Sequence, residues 1–338
     1  MKQTGLAAAL CALLLLALCF AVPDGQILWE AGDALYTDAE LSGPAGSILP
    51  YGAGLAASAL LAWAIAFALC RKEVSFADAV RFFVLALALG IALSRLLYCL
   101  VEPAYYNPKW LARAAALRIW DGGMSMSGAL IGVLLAARFA PKGAALVPAA
   151  LPLFISGSRL CELFTQMGYG PSVGFEGFLA RPVGYAVRLN VSVLEAAIAL
   201  LIFACILLLQ RGSAKRGIRL STGKRICAFL ILYGVTQIFM ESLRKDRHMI
   251  WGFTKAQQII AILLVFGTLI AIARNAAEKK RAFFITLLAA APLVGLEFAL
   301  DRADVSIFLL YGAYLIILSA YLAAVCRIFL RTLAAENA

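Results

Sequence analysis

Apolar residues run along this chain in unbroken blocks, with neither the strict alternation of a surface strand nor the one-sided stripe of a surface helix. The blocks include Leu6–Val22, Tyr51–Cys70, Phe82–Val101, Ala144–Phe164, Val191–Leu209, Phe283–Leu300 and Val305–Cys326. About twenty apolar residues are what a helix needs to cross a bilayer's hydrocarbon core. Lipid offers the backbone no hydrogen-bond partner, so a continuous apolar run must be a helix; barrel strands would alternate. The pattern predicts an all-α polytopic membrane helical bundle of about eight to nine transmembrane helices.

Polar positions between the blocks give the topology, because lysine and arginine collect on the cytoplasmic side. Residues 24–46 carry Asp24, Glu30, Asp33, Asp38 and Glu40 and no basic residue, which places them outside. Tyr51–Cys70 returns inward and stops at Arg71 and Lys72, and Gly122–Ala137 stops at Arg138 and Lys142. After Val191–Leu209 come Arg211, Lys215, Arg216, Arg219, Lys224 and Arg225, the strongest inside signal in the chain. Arg274 and Lys279 to Arg281 follow a later span, and Arg327 and Arg331 predict a cytoplasmic C-terminus. Lys109, Arg113 and Arg118 run against this alternation and read as functional or interfacial charges. The first block, within residues 1–25, is a signal peptide or a first span, because its length suits both.

Composition narrows the function classes. The chain is 63% hydrophobic and 14% charged, too apolar for a soluble protein. Its net charge of +11 does not imply a nucleic-acid partner, because the basic residues sit in short loops at span ends. Eight cysteines are scattered through apolar runs without metal-ligand spacing, and the single histidine, His248, falls in a loop. No metal site, disulfide framework or cofactor is expected.

The candidate chemistry lies in two features. Trp120 to Gly132, W-D-G-G-M-S-M-S-G-A-L-I-G, opens a span with glycines and hydroxyls where bulky residues are usual. Such a start can leave amides free as an anion cradle at a helix N-terminus, or it can be a small-residue face packed on another helix. The second feature is a set of ionisable residues within or beside the spans: Arg95, Arg159, Glu162, Glu195, Glu241 and Arg244. Each costs about 2.5 to 3.5 kcal/mol to insert at a span's centre, so each needs a partner or a task. Arg159 with Glu162, and Glu241 with Arg244, have the spacing to pair along a helix, whereas Arg95 has no local partner in the sequence.

These stretches, taken in order, resemble the motifs of the bacterial prolipoprotein diacylglyceryl transferases. Pro50-Tyr51-Gly52 is similar to W-Y-G, Ser94 to Tyr98 to G-R-x-x-Y, and Gly122 to Gly132 to G-G-M-S-F-H-G-G-L-I-G. Arg159 to Gly170 resembles R-x-G-N-F-x-N-x-E-x-x-G, Arg188 to Glu195 resembles R-H-P-x-Q-L-Y-E, and Tyr233 to Arg244 resembles Y-G-x-x-R-x-x-x-E-x-x-R. Thr254 to Gln257 fits S/T-M-G-Q. The departures are Ser127 at the histidine position, Glu162 and Met167 at the signature asparagine and glutamate, and Gln237 at an arginine.

The resemblance implies a transferase-like membrane core over residues 48–275, with two additional C-terminal spans over 282–330. It implies a multi-pass protein of the bacterial plasma membrane that moves the diacylglyceryl group of phosphatidylglycerol, or another anionic phospholipid, to the cysteine thiol of a prolipoprotein signal peptide. Tyr51, Glu162 and Glu241 are the implied catalytic residues. Arg95, Gly122, Gly123, Ser127, Arg159, Gly170 and Arg244 are the implied substrate-binding residues, with Arg95 and Arg159 on the phosphate. Glu162 is the substitute base. The alternative, given the departures, is a catalytically inactive relative that binds phospholipid or lipoprotein precursor, or a membrane scaffold. A transporter would suit the buried charges, but no internal repeat supports one.

Overall fold

The computed structural model describes residues 2–19, 50–101, 123–165, 167–175, 177–183, 185–215, 217, 220–245, 250–251, 254–302 and 306–335. Gly122 and His248 lie outside them. Ten α-helices are present among the described residues: α1 Lys2–Cys19, α2 Pro50–Cys70, α3 Phe76–Val101, α4 Met126–Phe139, α5 Val147–Cys161, α6 Val191–Lys215, α7 Thr222–Leu243, α8 Ala256–Ile272, α9 Ala276–Arg302 and α10 Ile307–Ala335. Seven helical segments are long and apolar enough to cross a membrane, and α4, α8 and the apolar part of α1 are shorter. The fold is the expected all-α polytopic membrane bundle. The segment ending at Phe164 is composite, with 3-10 turns at Pro141–Leu146 and Glu162–Phe164 flanking α5.

The chain divides into two compact units, Met1–Phe203 and Ala204–Ala338. In the first, Leu18 of α1 packs with Ala56 and Ala59 of α2 and Phe83 and Leu87 of α3. Helix α3 starts where Ser75 Oγ accepts the Asp78 amide at 3.2 Å and donates to Asp78 Oδ2 at 2.7 Å, a reciprocal cap. Its partner is α4, and the approach is close enough that side chains would not fit. A Cβ on Gly128 would lie 2.3 Å from the Leu93 carbonyl oxygen, and one on Gly132 would lie 2.4 Å from that of Leu89. Small residues substitute here for hydrophobic drive, which lipid does not supply. Helices α2 and α5 meet in the same way, Gly54 against the Cys161 thiol and Gly157 against the Ser58 side chain.

Between Phe164 and Val191 the chain forms a three-stranded antiparallel sheet of order β1-β3-β2: β1 Tyr169–Ser172, β2 Ala180–Val183 and β3 Ala186–Asn190. Gly177, at φ +151°, sits in the connection between β1 and β2. The strands are short and interrupted by proline and glycine, which hides them from a pattern search.

In the second unit Ile231, Val235 and Ile238 of α7 pack with Val265 and Leu269 of α8 and Leu293 of α9. Tyr314, Leu318 and Val325 of α10 complete this core. A short hairpin, β4 Ile250–Trp251 with β5 Thr254–Lys255, leads into α8. Buried polar contacts tie α9 and α10 to this pair: Gln258 donates to Glu297 at 2.6 Å, and the Tyr311 and Tyr314 hydroxyls donate to the Ser242 and Ile238 carbonyls at 3.2 and 3.4 Å.

Candidate functional site

The candidate residues of the first unit gather at one end of its bundle, because successive helices run in opposite senses. The start of α2 brings Tyr51, the end of α3 brings Arg95, the start of α4 brings Gly123 and Ser127, and the end of α5 brings Arg159. Half-buried Tyr51 packs with Met124 against Leu55 and Cys161.

The stretch before α4 is locked onto α3. Ser125 donates its amide to the Ser94 carbonyl at 3.1 Å, and the Ser94 hydroxyl donates to the Ser125 carbonyl at 2.9 Å. Buried Arg95 donates from Nη1 to the Gly123 carbonyl at 2.9 Å. Gly123 has φ +81°, and a Cβ there would lie 2.2 Å from the Tyr98 ring. Only glycine combines that backbone with that neighbour. Two motifs separated by about thirty residues in the sequence are therefore one structure.

The Ser125 hydroxyl caps α4 by accepting the Gly128 amide at 3.3 Å. Gly128 and Gly132 serve helix packing, and Ser127 is buried in the first turn of α4.

Arg159 is held by two carboxylates. Its Nη1 meets Glu162 Oε1 at 2.5 Å and its Nε meets Glu195 Oε2 at 2.7 Å, with all three side chains about nine-tenths buried or more. Both contacts hold the guanidinium to carboxylates of the protein. Ser192 donates to the other Glu162 oxygen at 2.5 Å, and Gly168 sits against both. Gly168 has φ +72°, and a Cβ there would overlap the Ser192 hydroxyl at 1.7 Å and Glu162 Oε2 at 2.5 Å. Arg181 of β2 reaches back to the same turn, donating to the Thr165 carbonyl at 3.1 Å and to the carbonyl of Met167. Gly170 is a buried residue of β1.

The second unit holds the remaining candidates. Glu241 accepts from the Gln237 amide at 2.6 Å, one turn back on α7. The Gln237 side chain thus occupies the spacing at which an arginine would form an ion pair. Arg244 is the buried C-cap of α7. Lys255 fastens that helix end by donating to the Glu241 carbonyl at 2.9 Å and to the carbonyl of Arg244. Sequence reading missed Gly168, Ser192 and Lys255 as site-building residues; the worn fifth motif, which contains Ser192, was the available signal. Among the described residues, no three metal-ligating side chains cluster.

Residues 41–274 match the model of the family described as prolipoprotein diacylglyceryl transferase. The chain belongs to this family. Similar proteins include the phosphatidylglycerol–prolipoprotein diacylglyceryl transferase of Thermotoga petrophila, 29% identical over 213 residues, covering 57% of this chain and 70% of the relative. The protein of the same name from Streptococcus pneumoniae is 30% identical over 233 residues, 64% of this chain and 84% of the relative. The chain is a multi-pass bacterial membrane protein of a transferase family in lipoprotein biogenesis. Helices α9 and α10 lie beyond the residues that match the family.

Proposed function

We propose that this chain transfers the diacylglyceryl group of phosphatidylglycerol to the cysteine thiol of a prolipoprotein signal peptide at the outer face of the plasma membrane, with its own C-terminus in the cytoplasm. Family membership over residues 41–274 carries this reading. The geometry supports it by joining the Arg95 motif to the glycine-rich stretch before α4 through the Gly123 carbonyl.

In the reaction the thiol loses its proton, because the thiolate is the nucleophile. Sulfur attacks the glycerol carbon that bears the phosphate, a C–S bond forms, and the C–O bond breaks to release glycerol phosphate. Arg95 is the headgroup residue, its buried guanidinium placed beside a turn of small residues. Tyr51 orients the glycerol. Glu162 accepts the thiol proton, held in place by Arg159 and Ser192. In the second unit Glu241, with Gln237 on its carboxylate, and Arg244 are assigned to the same reaction. Expression in cells depleted of their own transferase tests the function: restored growth is expected, and failure of a membrane-inserted protein to restore it contradicts the assignment.

One set of observations favours a second reading, a silent relative that binds lipid or lipoprotein precursor. Ser127 replaces the family's histidine, and Arg159 is held by Glu162 and Glu195. Phosphatidylglycerol binding that persists with no rescue of growth would select it.

A further inference from the structure

We propose that the sheet β1–β3 is a membrane-seated element, with Phe178 and Tyr185 inserted into the headgroup region of the outer leaflet as lipid-interface anchors. The starting observation is where the sheet is tethered. The span before it ends at Phe164 and the span after it begins at Val191. Strands of four or five residues at about 3.3 Å per residue reach roughly 17 Å, so the sheet stays near the surface from which both tethers rise.

The second observation is that the sheet has little core of its own. A three-stranded sheet needs one covered apolar face to be stable. Here β3 is only partly buried along its length until Asn190. Its connections hold out large apolar side chains: Phe178 is 77% exposed, Phe175 is 49% exposed, and Tyr185 is fully exposed. Leu163 and Phe164, at the end of the preceding span, are exposed as well. Aromatic rings with a polar tip or edge favour the membrane–water interface, and Tyr185 at a turn has that character.

The third observation decides between lipid and peptide as the occupant. An extended peptide would join the sheet by pairing with an edge, and the edges are β1 and β2. Pro171 lies in β1 and Pro182 in β2, and proline in an edge strand obstructs strand addition. The Arg188 guanidinium lies 5.1 Å from the centre of the Tyr169 ring, a cation beside the aromatic surface such as an anionic headgroup layer favours. Lipid therefore covers the exposed rings.

Seating the sheet would have a consequence for the candidate site. Arg181 of β2 donates to the Thr165 and Met167 carbonyls in the turn that follows Glu162. A sheet held at the leaflet surface holds that turn with it.

The test is photocrosslinking in nanodiscs that contain phosphatidylglycerol and phosphatidylethanolamine. p-Benzoylphenylalanine replaces Phe178 or Tyr185, an aromatic-for-aromatic exchange at exposed positions that leaves packing alone. Leu201, exposed within the span α6, provides the lipid-contact benchmark. Lipid-mass adducts at 178 and 185 are expected in yields comparable to those at 201, several-fold above unirradiated protein. Adducts at 201 with none at 178 and 185 would overturn the proposal. So would adducts at 178 and 185 to the protein itself, or to an added lipobox peptide in place of lipid. None of these results depends on transferase activity, so failure here is distinguishable from failure of the functional assignment.

Discussion

Arg95 and Arg159 are both buried in the first unit, near the ends of successive long segments, and the structure treats them differently. Arg159 lies between two carboxylates, and Arg95 gives one arm to the backbone carbonyl of Gly123. The Arg159 contacts hold α5 to the start of α6, and the Arg95 contact holds α3 to the turn before α4. The two arginines look equivalent in the sequence and fasten different elements.

The largest expected effect is on stability at Arg159. Arg159→Ala leaves Glu162 and Glu195 buried without their cation, and removing one partner of a buried ion pair costs about 3 to 5 kcal/mol. Thermal unfolding in detergent checks it. Replacing all three with neutral residues of similar volume is expected to restore most of the loss, as a charge cluster predicts. Equal damage from the triple variant would mean that shape, and not charge, is what Arg159 provides.

Gly168→Ala comes next. A left-handed backbone in a non-glycine residue costs about 1 to 3 kcal/mol, and the added methyl overlaps Ser192 and Glu162. Ser192→Gly in the same chain should relieve the overlap but not the backbone strain. A full rescue, read by thermal unfolding, would show that strain at Gly168 is unimportant.

Arg95→Ala removes the charge-assisted hydrogen bond to the Gly123 carbonyl, a contact worth about 1.5 to 3 kcal/mol. Its larger effect is on phosphatidylglycerol binding, about ten- to a hundred-fold weaker by the same energy, while Arg159→Gln in a chain that still folds weakens binding less. Titration with labelled lipid in nanodiscs compares the two, and the reverse order would exchange their roles. Gln237→Ala removes a buried hydrogen bond to the Glu241 carboxylate, worth about 1.5 to 3 kcal/mol, read as a shift in the unfolding midpoint.

The parts of this comparison were legible in the sequence to different degrees. The spans could be read because hydrocarbon imposes one rule on some twenty consecutive residues. The Arg159–Glu162 pair could be read because three residues make one helical turn. Glu195 stood out as a charge in an apolar run, but its bond to Arg159 crosses the whole sheet between α5 and α6, and no local pattern encodes such a contact. Gly168 looked like an ordinary loop glycine until its φ and its neighbours were known. The small residues before α4 supported two readings, and their contacts with Ser94 and Tyr98, about thirty positions earlier, were not legible in either. In the second unit the bond between Gln258 and Glu297 joins α8 to a helix beyond the residues that match the family, so no family motif could have announced it.

The account's central claim is that this chain is a working transferase in spite of serine at the histidine position. The most direct test incubates purified protein in nanodiscs with phosphatidylglycerol labelled in its acyl chains and a peptide carrying a lipobox cysteine. Label appearing on the peptide through a thioether, and lost in Arg95→Ala, is the predicted result. Folded protein that binds the lipid and leaves the peptide unlabelled would contradict it.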